Sequence, residues 1–402
     1  MPEDLIVRRV TPRQQQGRGV DRRIYILGTG NIGKLVAHAL SRIPSRPQIT
    51  LLFHKLELMD TWEAHGRTIE LITNGLSERG GPFDVEVALP ERTIKPVSES
   101  AQEYYAETEG ANERSPINNL ILTVKAPQTV SALSAIKDRL SRQSTIVFLQ
   151  NGMGVVDAVN EQLFPDVETR PNYMLGIITH GVHSESPFSI VHAGMGTTAL
   201  GYLARHPLSA THQDGHRLPQ EMPQTARYLL RTLTRTPLLA AVGFSQTDLL
   251  QLQLEKLAVN AIVSPLTVML DAKNGDVLSN FAMTRVMRLL LAEISLVIRS
   301  LPELRGVSNV RMRFSPGRLE SLAVSVMRKT SENVSSMLQD VRNGKQTEID
   351  YVNGYIVKRG EEMGFKCVMN YMLLQLVKGK QQMINRQIKN FVPIVDDGAR
   401  RR

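Results

Sequence analysis

The segment RRIYILGTGNIGKLVAHALSRIPSRPQITLLFHK, from Arg22 to Lys55, decides the fold of this chain. It opens with a short apolar run, passes through a glycine-rich loop, shows apolar residues at helical spacing, and closes on a second apolar run. This order predicts a strand, a tight loop, a helix and a second strand. Strands joined in this way form a βαβ unit, whose crossover is almost always right-handed.

The loop GTGNIG has the G-x-G-x-x-G spacing of a dinucleotide-binding site. In such sites the first glycine makes the tight turn, the second admits the pyrophosphate, and the third lets the helix pack closely on the strand. The N-terminus of the following helix adds positive potential for the phosphates. The spacing alone is weak evidence, but here it lies between a predicted strand and a predicted helix. We therefore expect a Rossmann-like domain whose loop contacts the cofactor through Gly28, Thr29, Gly30, Asn31, Ile32 and Gly33.

The end of the second predicted strand bears on the choice of cofactor. NAD sites usually carry an Asp or Glu there, about 20 residues after the loop, to hold the ribose hydroxyls. This chain has His54 and Lys55 instead. Because a lysine can meet a 2′-phosphate, the sequence favours NADP(H). The alternative is that Lys55 is an ordinary solvated lysine at a strand end.

Two later strands are also predicted to end in polar residues. Lys125 follows NNLILTV, and Asn151 follows STIVFLQ. Ligands of open α/β sheets bind at the carboxyl ends of the strands, so both side chains are candidates for cofactor contacts. Either of them could equally be an ordinary turn residue.

The character of the chain changes near residue 245. Before it, strand and helix patterns alternate, except at residues 74–116, which are polar and read as an insertion with a hairpin formed by PFDVEVAL and RTIKPV. After it, only helical periods occur. The predicted fold class is therefore α/β, with a Rossmann-like N-terminal domain and an all-helical C-terminal domain. The expected division is a basic tail at 1–21, an NADP-binding domain at 22–245, a substrate and catalytic domain at 246–390, and a basic tail at 391–402.

The first C-terminal helix carries an unusual polar stripe. Lys256, Asn260 and Ser264 recur every four residues and so share one face, while apolar residues cover the rest of the helix. Such a stripe either faces solvent or lines a cleft. A lysine that is withdrawn from water has a lowered pKa and becomes a competent proton donor near neutral pH.

Composition narrows the classes of partner. The chain has 402 residues, a formal charge of +9 and 5% aromatic residues; so few aromatics argue against base-stacking nucleic-acid binding. No apolar run is long enough to span a bilayer, and we expect no membrane, nucleic-acid or metal partner. The single cysteine, Cys367, excludes an intrachain disulfide and fits a cytoplasmic protein. The Arg-rich first 20 residues leave a mitochondrial location as the alternative.

Several segments are similar to one family. GTGNIG, LTVKAPQ, LQNGMG, EKLAVNAIVSPLT, AKNGDVL and above all ENVSSMLQDVRNGKQTEIDYVNGYIVKRGEEMG resemble the ketopantoate reductases (2-dehydropantoate 2-reductases), their fungal members in particular. The resemblance spans residues 24–380 or so. It implies two domains with a cleft between them, and the NADPH-dependent reduction of 2-dehydropantoate to (R)-pantoate on the way to pantothenate and coenzyme A.

The resemblance also implies a role for each matching residue. Lys256 looks like the general acid. Cofactor contacts would come from the glycine loop with Lys125, Asn151 and Glu348. The substrate contacts implied are Lys256, Asn260, Ser264, Asn274 and Ser336. Ser264 stands where the family often has a second asparagine; serine also forms hydrogen bonds but reaches less far.

Three readings remain open from the sequence. The chain could be a reductase of 2-dehydropantoate, a reductase of another 2-keto acid, or a reductase-like protein that has lost catalysis and binds RNA or assists an organellar assembly. A helical C-terminal domain is compatible with a homodimer, although no stripe in the sequence identifies a dimer face.

Overall fold

The computed structural model describes residues 21–88, 115–205 and 222–390. In these ranges an N-terminal α/β domain is followed by a C-terminal region built of helices, which confirms the predicted fold class. The strands are β1 (Ile24–Leu27), β2 (Ile49–Phe53), β3 (Ile69–Thr73), β4 (Leu76–Gly80), β5 (Asp84–Val87), β6 (Asn119–Leu122), β7 (Thr145–Phe148), β8 (Asn172–Ile178), β9 (Gly181–Ser186), β10 (Ser189–Gly194), β11 (Thr198–Leu203) and β12 (Ala241–Gly243). The helices are α1 (Asn31–Ser41), α2 (Glu57–Ala64), α3 (Thr129–Ser134), α4 (Val155–Gln162), α5 (Gln224–Thr234), α6 (Gln246–Leu270), α7 (Asn274–Leu278), α8 (Phe281–Ser300), α9 (Val310–Arg313), α10 (Pro316–Lys329), α11 (Ser336–Arg342), α12 (Ile349–Glu362) and α13 (Val368–Asn390).

The main sheet explains where a ligand can bind. Its order is β12-β11-β8-β7-β6-β1-β2-β5, and every neighbouring pair is parallel except β8 with β11. All residues of β1, β2, β6 and β7 are buried, as expected for continuous apolar strands in a parallel sheet. The chain moves outward from β1 to β2 and returns to the other side of β1 at β6. The carboxyl ends of β1 and β6 therefore form a topological switch point, where open α/β sheets bind ligands.

A second sheet packs beside α1, and part of it comes from the predicted insertion at 74–116. Its order is β4-β3-β10-β9. Within the predicted insertion, β4 belongs to this second sheet and β5 extends the main sheet by pairing with β2. Pairing with distant segments gives no local periodic signal, so the sequence pattern did not show where these two strands lie. The segment RTIKPV lies outside the described residues, so its hairpin with PFDVEVAL stays a prediction.

The helical region is organised around α6. Ser245 caps the start of this helix, where its Oγ accepts a hydrogen bond from the Asp248 backbone N–H. The apolar faces of α6 are buried against α8, α10 and α12 in one hydrophobic cluster. The helical periods found in the sequence after residue 245 correspond to long helices, namely α6, α8, α10, α12 and α13. No helix in the described ranges is both long and apolar enough to cross a membrane.

Candidate active site

The glycine loop connects β1 to α1 at the switch point. Gly28 has a φ of +107°, and a Cβ atom on it would lie 2.6 Å from the Val124 backbone nitrogen. A Cβ atom on Gly33 would lie 1.9 Å from the Gly28 carbonyl oxygen. In contrast, a Cβ atom on Gly30 would meet no atom within 4 Å. The outer glycines thus permit close backbone packing, while the middle one leaves open space at the N-terminus of α1, which fits a dinucleotide pyrophosphate.

The side chains after β2 and β6 lie at the same edge of the sheet. Lys55 is exposed, two residues beyond the end of β2. Thr123 follows β6, and its hydroxyl donates to the Gly28 carbonyl oxygen at 2.6 Å, which fixes the loop. Lys125 is partly buried, and its ammonium group forms an ion pair with the Asp340 carboxylate on α11. The sheet edge is therefore tied directly to the helical region.

Glu348 forms a second tie between the two parts of the chain. Its Oε1 accepts a hydrogen bond from the Ala126 backbone N–H at 3.1 Å, and its Oε2 accepts one from the Asn151 amide at 3.3 Å. Burial raises the pKa of the Glu348 carboxyl, although these two hydrogen bonds and the charge of Lys125 act in the opposite direction. Lys125, Asn151 and Glu348 are thus brought together beside the switch point.

Lys256 projects from α6 toward the α/β domain. Its Nζ donates a hydrogen bond to the carbonyl oxygen of Ile178, at the end of β8, at 2.9 Å. Burial lowers the pKa of Lys256 to about 8, and the nearby negative charge of Glu348 partly offsets this shift. An amine with such a pKa exists in both protonation states near neutral pH, which suits proton transfer.

A small pocket opens between α6, α11, the start of α12 and the loop after β7. Asn260 and Ser264 enter it from α6, one and two turns after Lys256, and Ser336 enters it from the first turn of α11. The complete lining is Asn151, Asn260, Ser264, Ser336, Met337, Asp340, Glu348 and Val352. Six of these eight side chains are polar, so the pocket suits a small polar molecule.

Asn274 lies apart from this lining. It starts α7, is buried, and its amide nitrogen donates to the Thr330 hydroxyl at 2.9 Å. Its Oδ1 is buried and has no hydrogen-bond partner within the described residues. As it stands, the side chain supports the packing of α7.

The pocket contains one charged residue that the sequence reasoning did not single out. Asp340 lies on α11 four residues after Ser336, so both side chains point to the same face of the helix. The signal was present in the segment SSMLQD as a serine and an aspartate one turn apart. This spacing did not identify Asp340 as a site residue, because the same spacing occurs on any solvated helix.

The chain matches two parts of one protein family. Residues 24–205 match the family described as ketopantoate reductase PanE/ApbA, and residues 248–381 match the description ketopantoate reductase PanE/ApbA C terminal. A probable 2-dehydropantoate 2-reductase of Schizosaccharomyces pombe is 30% identical over 360 residues, which cover 89% of this chain and 96% of that protein. A ketoisovalerate reductase of Gibberella fujikuroi is also 30% identical, over 84% of this chain and 78% of its own length.

A solved structure supports the same architecture. The ternary structure of D-mandelate dehydrogenase with NADH and anilino(oxo)acetate superposes with a TM-score of 0.66, covering 90% of this chain and 99% of that protein. The sequences are only 17% identical, so this likeness concerns the fold.

Proposed function

This chain belongs to the ketopantoate reductase family, and we propose that it reduces 2-dehydropantoate to (R)-pantoate with NADPH, a step toward pantothenate and coenzyme A. The observation that carries the proposal is the position of Lys256. Its amine is partly buried and has a pKa of about 8, and the negative charge of Glu348 acts on it. Lys256 precedes Asn260, the first residue of α6 that lines the polar pocket, by one helical turn.

The residues at the switch point fit a nicotinamide dinucleotide. Open space at Gly30 and the N-terminus of α1 would receive the pyrophosphate. Lys55 is the candidate for the 2′-phosphate, since it is the cation at the end of β2 where NAD sites usually hold an acid. Lys125, Asn151 and Glu348 would hold the ribose and nicotinamide end. When bound, the nicotinamide ring supplies the hydride for the keto carbon.

Lys256 would supply the proton. As an ammonium it polarises the keto oxygen and then donates a proton from Nζ to the alkoxide that forms there. A positive charge directed at growing negative charge in a dry site stabilises the transition state by about 3 kcal/mol or more. The ammonium has three N–H donors and the Ile178 carbonyl takes one of them, which leaves donors for the keto oxygen. Closure of the cleft would strengthen the new hydrogen bond by excluding water.

The polar pocket would orient the substrate. Ser336, which is exposed at the start of α11, would bind the carboxylate through its hydroxyl. Asn260 and Ser264 would contact the remainder of the molecule. Asn274 could take part only if α7 shifts, because it now lies outside the lining.

The relatives suggest a second candidate, the reduction of ketoisovalerate, since a ketoisovalerate reductase has the same 30% identity as the probable 2-dehydropantoate 2-reductase, over a smaller share of both chains. Ketoisovalerate has an aliphatic side chain, whereas 2-dehydropantoate carries a hydroxyl. The predominantly polar lining of the pocket therefore supports 2-dehydropantoate.

The test is a panel of 2-keto acids assayed with NADPH and with NADH. We expect the highest kcat/KM for 2-dehydropantoate with NADPH, measured from the loss of absorbance of the reduced cofactor. A preference for ketoisovalerate would replace the proposal with the second candidate. No oxidation of either cofactor with any 2-keto acid would point to a non-catalytic protein.

A further inference from the structure

Asp340 lies in the pocket, and the reaction outlined above gives it no task. We propose that Asp340 determines substrate specificity: its carboxylate accepts a hydrogen bond from a hydroxyl on the side chain of the 2-keto acid. The residue thereby selects hydroxylated 2-keto acids over purely aliphatic ones. This inference rests on the proposed function, and it identifies the pocket residue that recognises the side chain of the substrate.

The position of Asp340 is suited to this task. It follows Ser336 by one turn of α11 and faces the same pocket. If Ser336 holds the carboxylate of a short keto acid, the other end of the molecule lies within a few ångströms, which is the distance that one helical turn covers. Asp340 is only 7% exposed, so a substrate group that reaches it leaves bulk water.

The charge of Asp340 is already compensated. Its Oδ2 forms the ion pair with Lys125, and within the described ranges Lys125 is the only side chain that hydrogen-bonds to this carboxylate. The paired aspartate therefore does not repel the carboxylate of an incoming keto acid as a lone one would. Its second oxygen, Oδ1, is left to accept a hydrogen bond.

A carboxylate in such a place discriminates strongly between substrates. An ionised aspartate only accepts hydrogen bonds, so it needs a donor from the substrate once water is displaced. A hydroxyl provides that donor, whereas a methyl group in the same place would leave a partly buried charged oxygen without its hydrogen bond. Sites built around a substrate hydroxyl reject analogues that lack it far better than apolar pockets reject a change in size.

The experiment compares two substrates that differ only in the hydroxyl. These are 2-dehydropantoate and 3,3-dimethyl-2-oxobutanoate, each assayed with the full-length wild type and with Asp340→Ala, Asp340→Asn and Glu320→Gln. Glu320 forms an ion pair with Arg288 on the outside of the helical region, so its substitution is the matched control for loss of a carboxylate. The dissociation constant of NADPH is measured for each protein.

The wild type should prefer the hydroxylated substrate by a factor on the order of 100 or more in kcat/KM. Asp340→Ala should lose most of that preference, mainly through a lower kcat/KM for 2-dehydropantoate. Asp340→Asn, which keeps an acceptor oxygen, should retain an intermediate preference, and Glu320→Gln should retain all of it.

The inference is overturned if the preference is the same in Asp340→Ala as in the wild type, including the case in which both substrates lose activity equally because NADPH binds more weakly. If Asp340→Ala does not fold, an unchanged preference in Asp340→Asn overturns it instead. A wild type that reduces neither substrate would overturn the proposed function together with this inference. An active wild type with insensitive variants would overturn the role of Asp340 alone.

Discussion

Two lysines have the main roles in the proposed reaction at the scale of single residues, and their surroundings differ. Lys256 is partly buried beside Glu348, and burial moves its pKa to about 8. Lys55 is exposed, two residues beyond the end of β2. The first is therefore suited to proton transfer, and the second to holding an anion.

The role of Lys55 is tested by reversing its charge. Lys55→Asp should weaken NADPH binding by on the order of tenfold or more and affect NADH much less, because only NADPH places a phosphate at this point. Dissociation constants for both cofactors can be measured by nicotinamide fluorescence. Lys366→Asp, on an exposed loop of the helical region, makes the same change in net charge and should leave both constants unaltered. Equal losses for NADH and NADPH in Lys55→Asp would remove the phosphate assignment.

The sequence anticipated single residues to different degrees. The polar stripe of Lys256, Asn260 and Ser264 was visible because helical periodicity is local. Asp340 was missed, since its pocket exists only after Lys125 meets it from a segment more than 200 residues away. For Asn274 the structure shows a packing contact with Thr330, and a single sequence cannot distinguish this from a substrate contact.

At the scale of elements, α6 contains a proline that its neighbour compensates. Pro265 has no backbone N–H, so the carbonyl oxygen of Ala261 lacks its usual partner within the helix. The Asn353 amide of α12 donates to this oxygen at 3.0 Å, and also to Oδ1 of Asn370 on α13 at 3.1 Å. Asn353 is fully buried. This one amide therefore joins three helices around the segment that presents Lys256.

Removal of this amide should be costly. Asn353→Ala leaves two buried acceptors without a donor, and at roughly 1–3 kcal/mol for each unsatisfied group the free energy of unfolding should fall by about 2–4 kcal/mol. Urea denaturation measures the change. Asn343→Ala removes an exposed amide that caps the Gln339 carbonyl and should cost below about 1 kcal/mol.

A second substitution tests whether Asn353 stabilises the protein because Pro265 leaves the Ala261 carbonyl oxygen without a donor. Pro265→Ala restores the N–H that Ala261 lacks, so in the Asn353→Ala background it should recover part of the lost stability. The two effects should thus be non-additive, as for residues that share a partner. Additive effects would show that Asn353 and Pro265 act independently.

Elements with a local signal were predictable, and elements that depend on distant pairing were not. The βαβ unit and the long C-terminal helices follow from periodicity over a few turns. The four strands of the second sheet are short. In β4 four residues are exposed, so this strand lacks the alternation of buried and exposed residues that marks a strand in a sequence. The segment after Lys125 has no such regular pattern in the structure, since it is divided between α3 and two three-residue 3-10 turns.

At the scale of the whole molecule, the loop after β7 docks onto the start of α12. The Met153 backbone N–H donates to the Tyr351 carbonyl oxygen at 2.8 Å, beside the contacts of Asn151 with Glu348. Gly152 has a φ of +82°, and a Cβ atom on it would lie 2.6 Å from the same Tyr351 oxygen. Only a glycine lets the α/β domain and the helical region approach this closely at the pocket.

A Cβ atom at this point should therefore disturb catalysis across the cleft. Gly152→Ala should lower kcat/KM for the 2-keto acid by tenfold or more, since small displacements of catalytic groups are costly. Gly364→Ala is the matched control, because Gly364 has a φ of +80° with nothing within 4 Å of an added Cβ. Gly364→Ala should lower the melting temperature, measured by differential scanning calorimetry, because of backbone strain. It should nevertheless retain the activity. Similar activities for the two variants would mean that the approach of the two parts at Gly152 is unimportant.

The most direct measurement is the pH dependence of turnover for the wild type, Lys256→Ala and Lys34→Met with 2-dehydropantoate and NADPH. The wild-type kcat/KM, which reports the free enzyme, should be level below pH 8 and fall about tenfold per pH unit above it, because the proton donor is lost as pH rises through the pKa of Lys256. Lys256→Ala should lose about 10³-fold or more in kcat/KM and lose this break. Lys34, whose pKa burial also lowers to about 8, is the control, and Lys34→Met should keep the break. Normal turnover in Lys256→Ala, or a break near pH 8 that survives there and disappears in Lys34→Met, would contradict the assignment of Lys256 as the acid.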